Sequence, residues 1–583
     1  MNKIGIYIIS ITLLLFTACD KFIELDPLDE ITEAAYYNTP EHFRTGSNLF
    51  YKSMVGMRRM DAVHTTDYGS DLIAYNADSR EYGRGVVTVP LTDDTWWDDS
   101  YTAIRNINIL LQKAEEYEGD KTEIAQYVAT AYFFRAYQNF ILLQRYGGVP
   151  IITTVVDVDS EELEGQRNSR YEVVYQILSD LDMATTDLLP EQSIAVADKG
   201  KISKWAAEAL KAKVLLYEAT WEKYVGTTTD GDGETSGAGS VIPEGYPSVD
   251  EMLAEAISLS IDVIDNGGYE LWNHNEELDN LSMLYLFNLE DEGSNPAGLT
   301  KESNNEFILY TKYDFVYYQG NTNISHGVRN RLSPSRKFLD MFLCTDGLPA
   351  NQSDLFQGYA TISSQYQNRD YRLTSYFCDF DTWDTPADNQ NPVEINARKF
   401  HSYPGYRDDK TESFDFPQIR LAEVYLTFAE ATYELNGSIT NAELDYSINK
   451  VRARSGVAGV SNEKAAAYNL DLKEEIRRER TVELFAETNR YYDLKRWGIA
   501  EQELNADIFS HVVEGTILET DPSVYNSGDY PYGQQVTTTA DGELSTLLVD
   551  PASNRHFERK HYLMPIPSSQ INLSAKLLQN PGY

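Results

Sequence analysis

Apolar residues recur at helical spacing in several long stretches of the chain. In the first of these stretches, one helical face carries Tyr101, Ile104, Ile107 and Leu111. A stripe with this period predicts an amphipathic helix that buries one side against a neighbour. The apolar pattern of the next stretch ends at Gly147, where glycine and proline residues predict a turn. The predicted helix pairs span residues 96–117 with 123–148, 170–190 with 203–224, 249–268 with a later partner, and 420–437 with 441–456.

Repeated helix pairs of this length resemble tetratricopeptide units, which stack side by side into one continuous core. Ser203 stands at the expected N-cap of its helix, and the alanines after it allow neighbouring helices to approach closely. Residues 269–415 lack a long helical period and contain short β-like pieces such as 305–318, which predicts an irregular lobe. Two polar stretches, 225–247 and about 519–550, predict surface insertions, the first of them a mobile glycine-rich loop.

The N-terminus carries an apolar run from Ile4 to Phe16, about 13 residues, which is shorter than the roughly 20 needed to span a bilayer. This run is typical of a signal peptide. The residues from Leu15 to Cys19 resemble a bacterial lipobox, which implies cleavage before Cys19 and acylation of that cysteine. An ordinary signal peptide with an incidental cysteine is the alternative. We predict a signal peptide over 1–18, a lipidated tether over 19–30 and one body over 31–583, with parts at about 31–268, 269–415 and 416–583.

The chain is strongly acidic, with 49 lysine and arginine residues against 91 acidic ones and a formal charge of -42. Such a surface repels phosphate backbones and anionic lipid, so nucleic acid is excluded as a partner. Cys344 and Cys378 either form one disulfide or remain two buried thiols, and their spacing predicts no zinc site. The sequence contains no HExxH, GxSxG or Walker-type glycine loop, so we predict no metal and no cofactor.

Three C-terminal stretches, residues 417–431, 474–498 and 563–583, resemble the SusD/RagB family of outer-membrane nutrient-binding lipoproteins. Residues 132–150, 334–349 and 368–373 agree with the same family. The resemblance implies a mainly α-helical fold, with about four tetratricopeptide-like helix pairs in a right-handed superhelical scaffold and an irregular ligand-binding lobe. It also implies a SusC-like TonB-dependent transporter as partner, oligosaccharides or peptides as cargo, and no catalytic activity.

The stretch 474–498 mixes carboxylates and arginines along a predicted helix. Glu474 and Arg478 lie four residues apart and are expected to pair. Four further charged residues are expected to form a wider network, and six apolar ones are expected to pack inward. Carboxylates interleaved with arginines stay ionised, whereas an acid catalyst needs a raised pKa, so we interpret these residues as structural. The network residues are Arg480, Glu483, Glu487 and Arg490, and the apolar ones are Ile476, Val482, Leu484, Phe485, Leu494 and Trp497.

Sugar binding requires flat rings against the apolar face of a pyranose and planar polar groups for its hydroxyls. Two regions offer both: residues 64–85 with the tryptophans that follow, and residues 269–287 with 313–331. The family also holds its ligands in about these two parts of the chain. Burial in the scaffold is the alternative for each aromatic residue, especially for Trp96, which opens a helical stripe. The candidate ligand-binding residues are Tyr68, Asp71, Tyr75, Arg84, Trp96, Trp272, Tyr317, Tyr318, Asn321 and Arg329.

The lipobox and the family resemblance together imply a lipid-anchored protein of the cell outer membrane, exposed at the surface. Such a protein captures oligosaccharides and delivers them to its transporter. About ten residues separate Cys19 from the first helix, which limits the tether to about 35 Å and keeps the body near the membrane. A surface glycoside hydrolase with paired carboxylates in the irregular lobe is one alternative. A peptide-binding member of the same family and a purely structural scaffold are the others.

Overall fold

The computed structural model describes residues 36–56, 67, 69–74, 81–157, 160, 165–319, 332–361, 363–377, 395, 397–400, 411–520, 532–574 and 576–583. The predicted signal peptide, Cys19 and the tether therefore lie outside the described residues. So does Cys378, while Cys344 is a buried thiol. Among the described residues, none of the helices combines the length and the apolar character needed to cross a bilayer.

The N-terminal part is built from helices, as the apolar periodicity predicts. The predicted pairs 96–117 with 123–148 and 170–190 with 203–224 are present within a few residues. Ser203 caps its helix by accepting a hydrogen bond from the backbone N–H of Ala206 at 3.1 Å, as expected. The helices are α1 (Pro40–Asn48), α2 (Glu81–Arg84), α3 (Thr95–Glu116), α4 (Ala125–Tyr146), α5 (Arg170–Asp187), α6 (Lys204–Tyr224) and α7 (Val249–Asn266).

Each long helix packs against the next along the chain, from α3 to α7. Their shared faces form one core, which includes the fully buried Phe133, Phe134 and Leu215. The later partner expected for α7 is the helix 421–436, which packs along it. The described residues therefore confirm the mainly helical class, while the handedness of the superhelix stays a prediction.

The rest of the chain alternates short helices with loops. These helices are α8 (Ser282–Tyr285), α9 (Arg336–Met341), α10 (Tyr371–Tyr376), α11 (Leu421–Asn436), α12 (Asn441–Tyr446), α13 (Ile448–Arg454), α14 (Asn462–Tyr468), α15 (Leu472–Glu483), α16 (Arg490–Arg496), α17 (Ala500–Leu504), α18 (Ile517–Thr520) and α19 (Ser568–Leu573). Two predicted helices are broken. The stretch 441–456 divides at Ser447, whose φ of -124° and ψ of -97° are not helical. The stretch 474–498 divides at the turn between α15 and α16, where Ala486 and Thr488 have φ of 60° and 65°.

In the part of the chain that the structure describes, five strands form two small sheets. The strands are β1 (Phe307–Thr311), β2 (Phe416–Arg420), β3 (Ile508–Val512), β4 (Gln534–Thr539) and β5 (Gly542–Asp550). The antiparallel β1–β2 ribbon pairs Phe307 with Arg420 at one end and Thr311 with Phe416 at the other. The second sheet has the order β3-β5-β4, which leaves β4 at an edge. The polar insertion near 519–550 thus contributes a hairpin.

The C-terminal tail is docked, as its sequence predicts. Arg167 donates a hydrogen bond to the Asn580 side chain at 2.8 Å, and the Tyr583 hydroxyl donates to the Leu563 carbonyl at 3.2 Å. The glycine-rich insertion 225–247, predicted to be a mobile surface loop, packs against this tail: the N–H of Gly237 donates to the Gln579 carbonyl at 2.6 Å. The insertion is therefore part of the body.

Candidate functional site

Among the described residues of the irregular lobe, the most exposed aromatic group lies just beyond the β1–β2 ribbon. We call residues 314–318 the aromatic loop. Asp314 and Tyr318 exchange two backbone hydrogen bonds of 2.8 and 3.0 Å, which close the loop at its base. The Asp314 carboxylate accepts hydrogen bonds from the N–H groups of Val316 and Tyr317, each at 2.8 Å. An aspartate that bonds to the backbone two residues further on defines a tight turn. The backbone of the aromatic loop is therefore fixed.

The base of the aromatic loop is anchored to the lobe by rings and charges. The rings of Tyr313 and Tyr318 stack with centroids 5.3 Å apart and planes inclined by 14°. Lys301 donates hydrogen bonds to the Tyr313 carbonyl at 2.8 Å and to Asp415 at 2.6 Å. Asp415 also accepts the N–H of Tyr313 at 3.0 Å. Tyr318 therefore anchors the base of the aromatic loop to Tyr313.

The tip of the aromatic loop faces solvent. The exposed fractions of Phe315, Val316 and Tyr317 are 43%, 75% and 89%. Single exposed apolar residues are common in soluble proteins, but three consecutive ones on a fixed turn form an apolar platform. A tyrosine ring presented in this way offers a flat apolar face together with a hydroxyl, the combination that sugar binding uses.

Part of the first region expected to bind ligand pairs with the residues that follow the second region. Ile73 forms an antiparallel bridge with Pro334, just after the segment that follows the aromatic loop. The N–H of Ala74 donates to the Ser333 carbonyl at 2.8 Å, and the N–H of Ser335 donates to the Leu72 carbonyl at 2.7 Å. Residues 72–74 and 333–335 therefore lie side by side, although more than 200 residues separate them along the chain.

The predicted residues Asp71 and Arg84 are engaged in buried ion pairs. Asp71 binds Arg490 at 2.7 Å and Lys337 at 2.6 Å. Although burial by itself raises the pKa of Asp71, these two cations hold that pKa well below its usual range. Arg84 binds the fully buried Asp550 at 2.8 Å. Both side chains join the region 64–85 to the C-terminal region.

The structure places the two predicted tryptophans in the scaffold. Trp272 is only 3% exposed, and its indole N–H donates to the Ser303 hydroxyl at 3.1 Å. This burial differs from the exposed stacking surface that the sequence predicts. Trp96 is half-buried at the start of α3, with the guanidinium of Arg145 lying 4.9 Å from its ring centroid. Burial in the scaffold, the alternative for each aromatic residue, thus describes Trp272, whereas Trp96 is only partly buried.

Of the ten candidates, Tyr317 has the exposure that a stacking residue needs, and Tyr318 supports it from beneath. Tyr68, Tyr75, Asn321 and Arg329 lie outside the described residues. Sequence reasoning missed Phe315 and Val316. The sequence Asp-Phe-Val-Tyr-Tyr, which follows a strand-like run, indicates their exposure. An aspartate directly after a strand favours a turn, and a turn exposes the residues that follow it.

The charged residues of the family-like stretch 474–498 form a buried ion-pair network. Glu483 binds Arg372 at 2.7 Å and also accepts hydrogen bonds from Arg420 and Arg454. Burial opposes ionisation of Glu483, but these three guanidinium groups hold its pKa well below the usual range. Arg420 also binds Glu487 at 2.8 Å. These carboxylates are therefore ionised and structural, which agrees with the interpretation of the sequence.

The details of the network differ from the sequence prediction. Glu474 pairs with Arg477 at 3.2 Å, and Arg478 pairs instead with Glu475 at 2.5 Å, so both pairs have a spacing of three residues. Arg480 binds Asp493 at 2.8 Å rather than the other predicted network members. The six apolar residues of this stretch are buried, as predicted. Within the described ranges, there is no cluster of three or more histidine, cysteine or acidic side chains arranged to hold a metal ion.

Known proteins share both the sequence patterns and the fold of this chain. A SusD-like protein of Bacteroides ovatus is 24% identical over 617 residues, covering 99% of this chain and 97% of that protein. The crystal structure of a SusD-like carbohydrate-binding protein from Bacteroides fragilis has a TM-score of 0.68 at 19% identity, covering 93% of this chain and 99% of that one. The structure of a laminarin-binding SusD-like protein has a TM-score of 0.55 at 19% identity, covering 94% and 100%. At such identities the structures establish the shared helical fold.

Family models identify the chain from two separate stretches. The model of the SusD family matches residues 297–583, which include the aromatic loop, the Glu483 network and the docked tail. A second model, described as starch-binding and associating with the outer membrane, matches residues 50–216, which include α3 to α5. The two matched stretches together cover most of the chain, and the chain belongs to the SusD/RagB family.

Proposed function

We propose that this protein captures oligosaccharides at the cell surface, with the aromatic loop as a stacking platform for sugar rings. The observation that carries the proposal is the fixed turn at Asp314, which holds the Tyr317 ring 89% exposed. Holding an apolar ring in water has no benefit for folding, whereas a ligand gains affinity from a ring that is already in place. The platform therefore has the properties of a binding surface.

The similar proteins support a glycan as ligand. One similar structure is that of a carbohydrate-binding protein, another is that of a laminarin-binding protein, and one matching family model is described as starch-binding. The formal charge of -42 disfavours polyanionic glycans, because the whole surface repels them at long range. Neutral oligosaccharides are thus the proposed ligand class.

The anchor and the partner complete the proposal. Acylation of Cys19 holds the body at the outer membrane, on the cell exterior, where it meets polymeric glycans. A SusC-like TonB-dependent transporter then receives the captured oligosaccharide. The protein binds without cleaving. The carboxylate of Asp314 in the aromatic loop is not a suitable acid catalyst, because two backbone N–H groups lower its pKa, whereas an acid catalyst requires a raised one.

Isothermal titration with maltoheptaose, laminariheptaose and polygalacturonate tests the binding role. Loss of the stacking ring in Tyr317→Ala is expected to weaken binding of the preferred neutral heptaose about tenfold, which corresponds to about 1.4 kcal/mol. Tyr468→Ala, which removes an exposed tyrosine of α14, is the matched control and should leave affinity unchanged. Equal affinities of wild type and Tyr317→Ala would remove the aromatic loop from the proposal.

Two further measurements address the anchor and the absence of catalysis. Mass spectrometry of the mature N-terminus is expected to find acylated Cys19, and Cys19→Ser should release the protein from the membrane fraction. Incubation with the bound heptaose should release no new reducing ends. Steady release of reducing sugar would instead support the glycoside hydrolase alternative.

A further inference from the structure

A second surface feature, separate from the aromatic loop, is a cleft of about 560 Å³. It lies between α9, the turn at residues 349–351, and the β3–β5–β4 sheet. The sheet contributes Phe509 from β3 and the end of edge strand β4, so the cleft exists only because the polar insertion folds as a hairpin. Its volume falls within the range of about 300–1,000 Å³ that is typical of small-molecule sites.

The walls of the cleft combine apolar and hydroxyl-bearing side chains. Met341 and Phe509 line it and are each half-buried, so part of each side chain is open to the cleft. Asn351, Thr537 and Thr538 line it as well, and Asn351 and Thr538 are exposed. A ring that covers one apolar face and amide or hydroxyl groups that reach the edges of a ligand are the elements of a sugar site.

Six of the seven charged side chains that line the cleft are in ion pairs within the protein, and the seventh, Asp507, accepts a hydrogen bond from the N–H of Ala552 at 2.6 Å. Lys337 lies between Asp71, at 2.6 Å, and Glu503. Arg336 binds Asp340 at 2.6 Å. A charged ligand would have to compete with these pairs, and a carboxylate or phosphate would also meet the acidic partners.

Arg478, also in the wall, binds Glu475 at 2.5 Å. A neutral polyhydroxyl ligand, in contrast, adds hydrogen bonds to the edges of paired charges without breaking them. The electrostatics of the wall therefore select neutral ligands.

We propose that this cleft is a second saccharide site, which binds a neutral sugar unit independently of the aromatic loop. The inference rests on the proposed function, because both sites then hold the same class of ligand. Two sites on one body engage two segments of a polymer, and the second contact is intramolecular with a high effective concentration. The protein would thus retain long glycans better than the affinity of either site explains.

Filling the cleft tests the proposal in the intact protein. Thr538→Tyr places a ring in the cleft from an exposed position on an edge strand, where tyrosine is well tolerated. Gln535→Tyr introduces the same aromatic ring at an exposed residue of β4 that does not line the cleft. This variant serves as the matched control. Circular dichroism confirms that each variant is folded before titration with maltoheptaose and laminariheptaose.

Wild-type protein is expected to bind the preferred heptaose at two sites. Tyr317→Ala should weaken the aromatic-loop site about tenfold and leave the cleft site at its wild-type affinity. Adding Thr538→Tyr to Tyr317→Ala should abolish this unweakened binding, whereas adding Gln535→Tyr should leave it intact. If Tyr317→Ala leaves no site at wild-type affinity, or if that site survives Thr538→Tyr, the cleft is not a saccharide site, while the aromatic loop keeps its role. If the wild type binds neither heptaose nor any other glycan of a neutral panel, both proposals fail.

Discussion

The Glu483 network and the aromatic loop stand at opposite ends of the same β1–β2 ribbon. Arg420, which ends β2 and pairs with Phe307, belongs to the network and is fully buried. Thr311 ends β1 at the other side and leads within three residues to the exposed turn at Asp314. Inside the network the charged groups find partners within the protein, whereas the tip of the loop presents apolar groups to water. The difference separates residues that define the fold from residues available to a ligand.

This separation has a physical origin. A buried charge is tolerated only when other charges and hydrogen bonds compensate it, so each member of the network depends on several others. Changing one member leaves its partners unsatisfied. The exposed rings of the loop have no such dependence, because water surrounds them before and after a substitution. The residues by which the family is most easily identified are therefore not those that we propose as ligand contacts.

The largest expected effect comes from Glu483→Gln. The substitution keeps the shape but removes the negative charge shared by Arg372, Arg420 and Arg454. Loss of one partner from a buried pair destabilises by about 3–5 kcal/mol, so urea denaturation should show a loss of this size. Glu474→Gln, on the same helix but with its side chain 54% exposed, should change stability by less than about 1 kcal/mol. Equal losses of stability in the two variants would show that burial does not determine how much each carboxylate contributes.

An intermediate effect is expected from pH, through Asp67. This fully buried carboxyl has one oxygen without a hydrogen-bond partner, and burial raises its pKa to about 7. A raised pKa in the folded state gives stability that is complete below the unfolded value of about 3.9 and is lost as pH rises through 7. Between pH 5 and 8 the wild type should lose about 2 kcal/mol through this group.

Asp67→Asn removes the titration and should flatten the dependence of stability on pH over that range. Asp250→Asn, at an exposed position in the first turn of α7, should keep the wild-type slope. Urea denaturation at several pH values measures both slopes. An unchanged slope in Asp67→Asn would mean that this carboxyl is ionised in the folded protein throughout the range.

The smallest effect is expected at the turn of the aromatic loop. Asp314→Ala removes the acceptor for the N–H groups of Val316 and Tyr317, so the platform loses its fixed shape. Affinity for the preferred heptaose should fall about threefold, and stability by less than about 1 kcal/mol. Asp314→Asn keeps an acceptor oxygen and should bind as the wild type does. A full loss of binding in Asp314→Ala would indicate that the carboxylate itself contacts the sugar.

The sequence predicts much of the helical scaffold, because apolar periodicity is a local property. The helices α3 to α7 appear within a few residues of their expected bounds. The breaks in the later helices were not predictable, since tertiary contacts hold Ser447, Ala486 and Thr488 in non-helical or left-handed conformations. The docking of the loop 225–247 on the tail likewise depends on a contact between segments that are distant in sequence.

The candidate site was predictable in part. An aromatic, polar region around Tyr317 follows from composition, but composition cannot separate an exposed ring from a buried one. Trp272 illustrates this, because it is buried in an apolar cluster whose members come from distant parts of the sequence. The cleft beside β4 was beyond prediction for a similar reason, since its walls come from six separate stretches of the chain.

The β1–β2 ribbon also bears on how the binding specificity of this protein changes over evolution. The long segment between Thr311 and Phe416 connects the two strands, and the ribbon fixes the positions at which this segment begins and ends. Insertions, deletions and substitutions within the segment therefore leave both of its ends in place. A lineage that encounters a new polysaccharide can change the proposed recognition surface within this segment. The ribbon and the helices that stabilise the rest of the molecule stay the same.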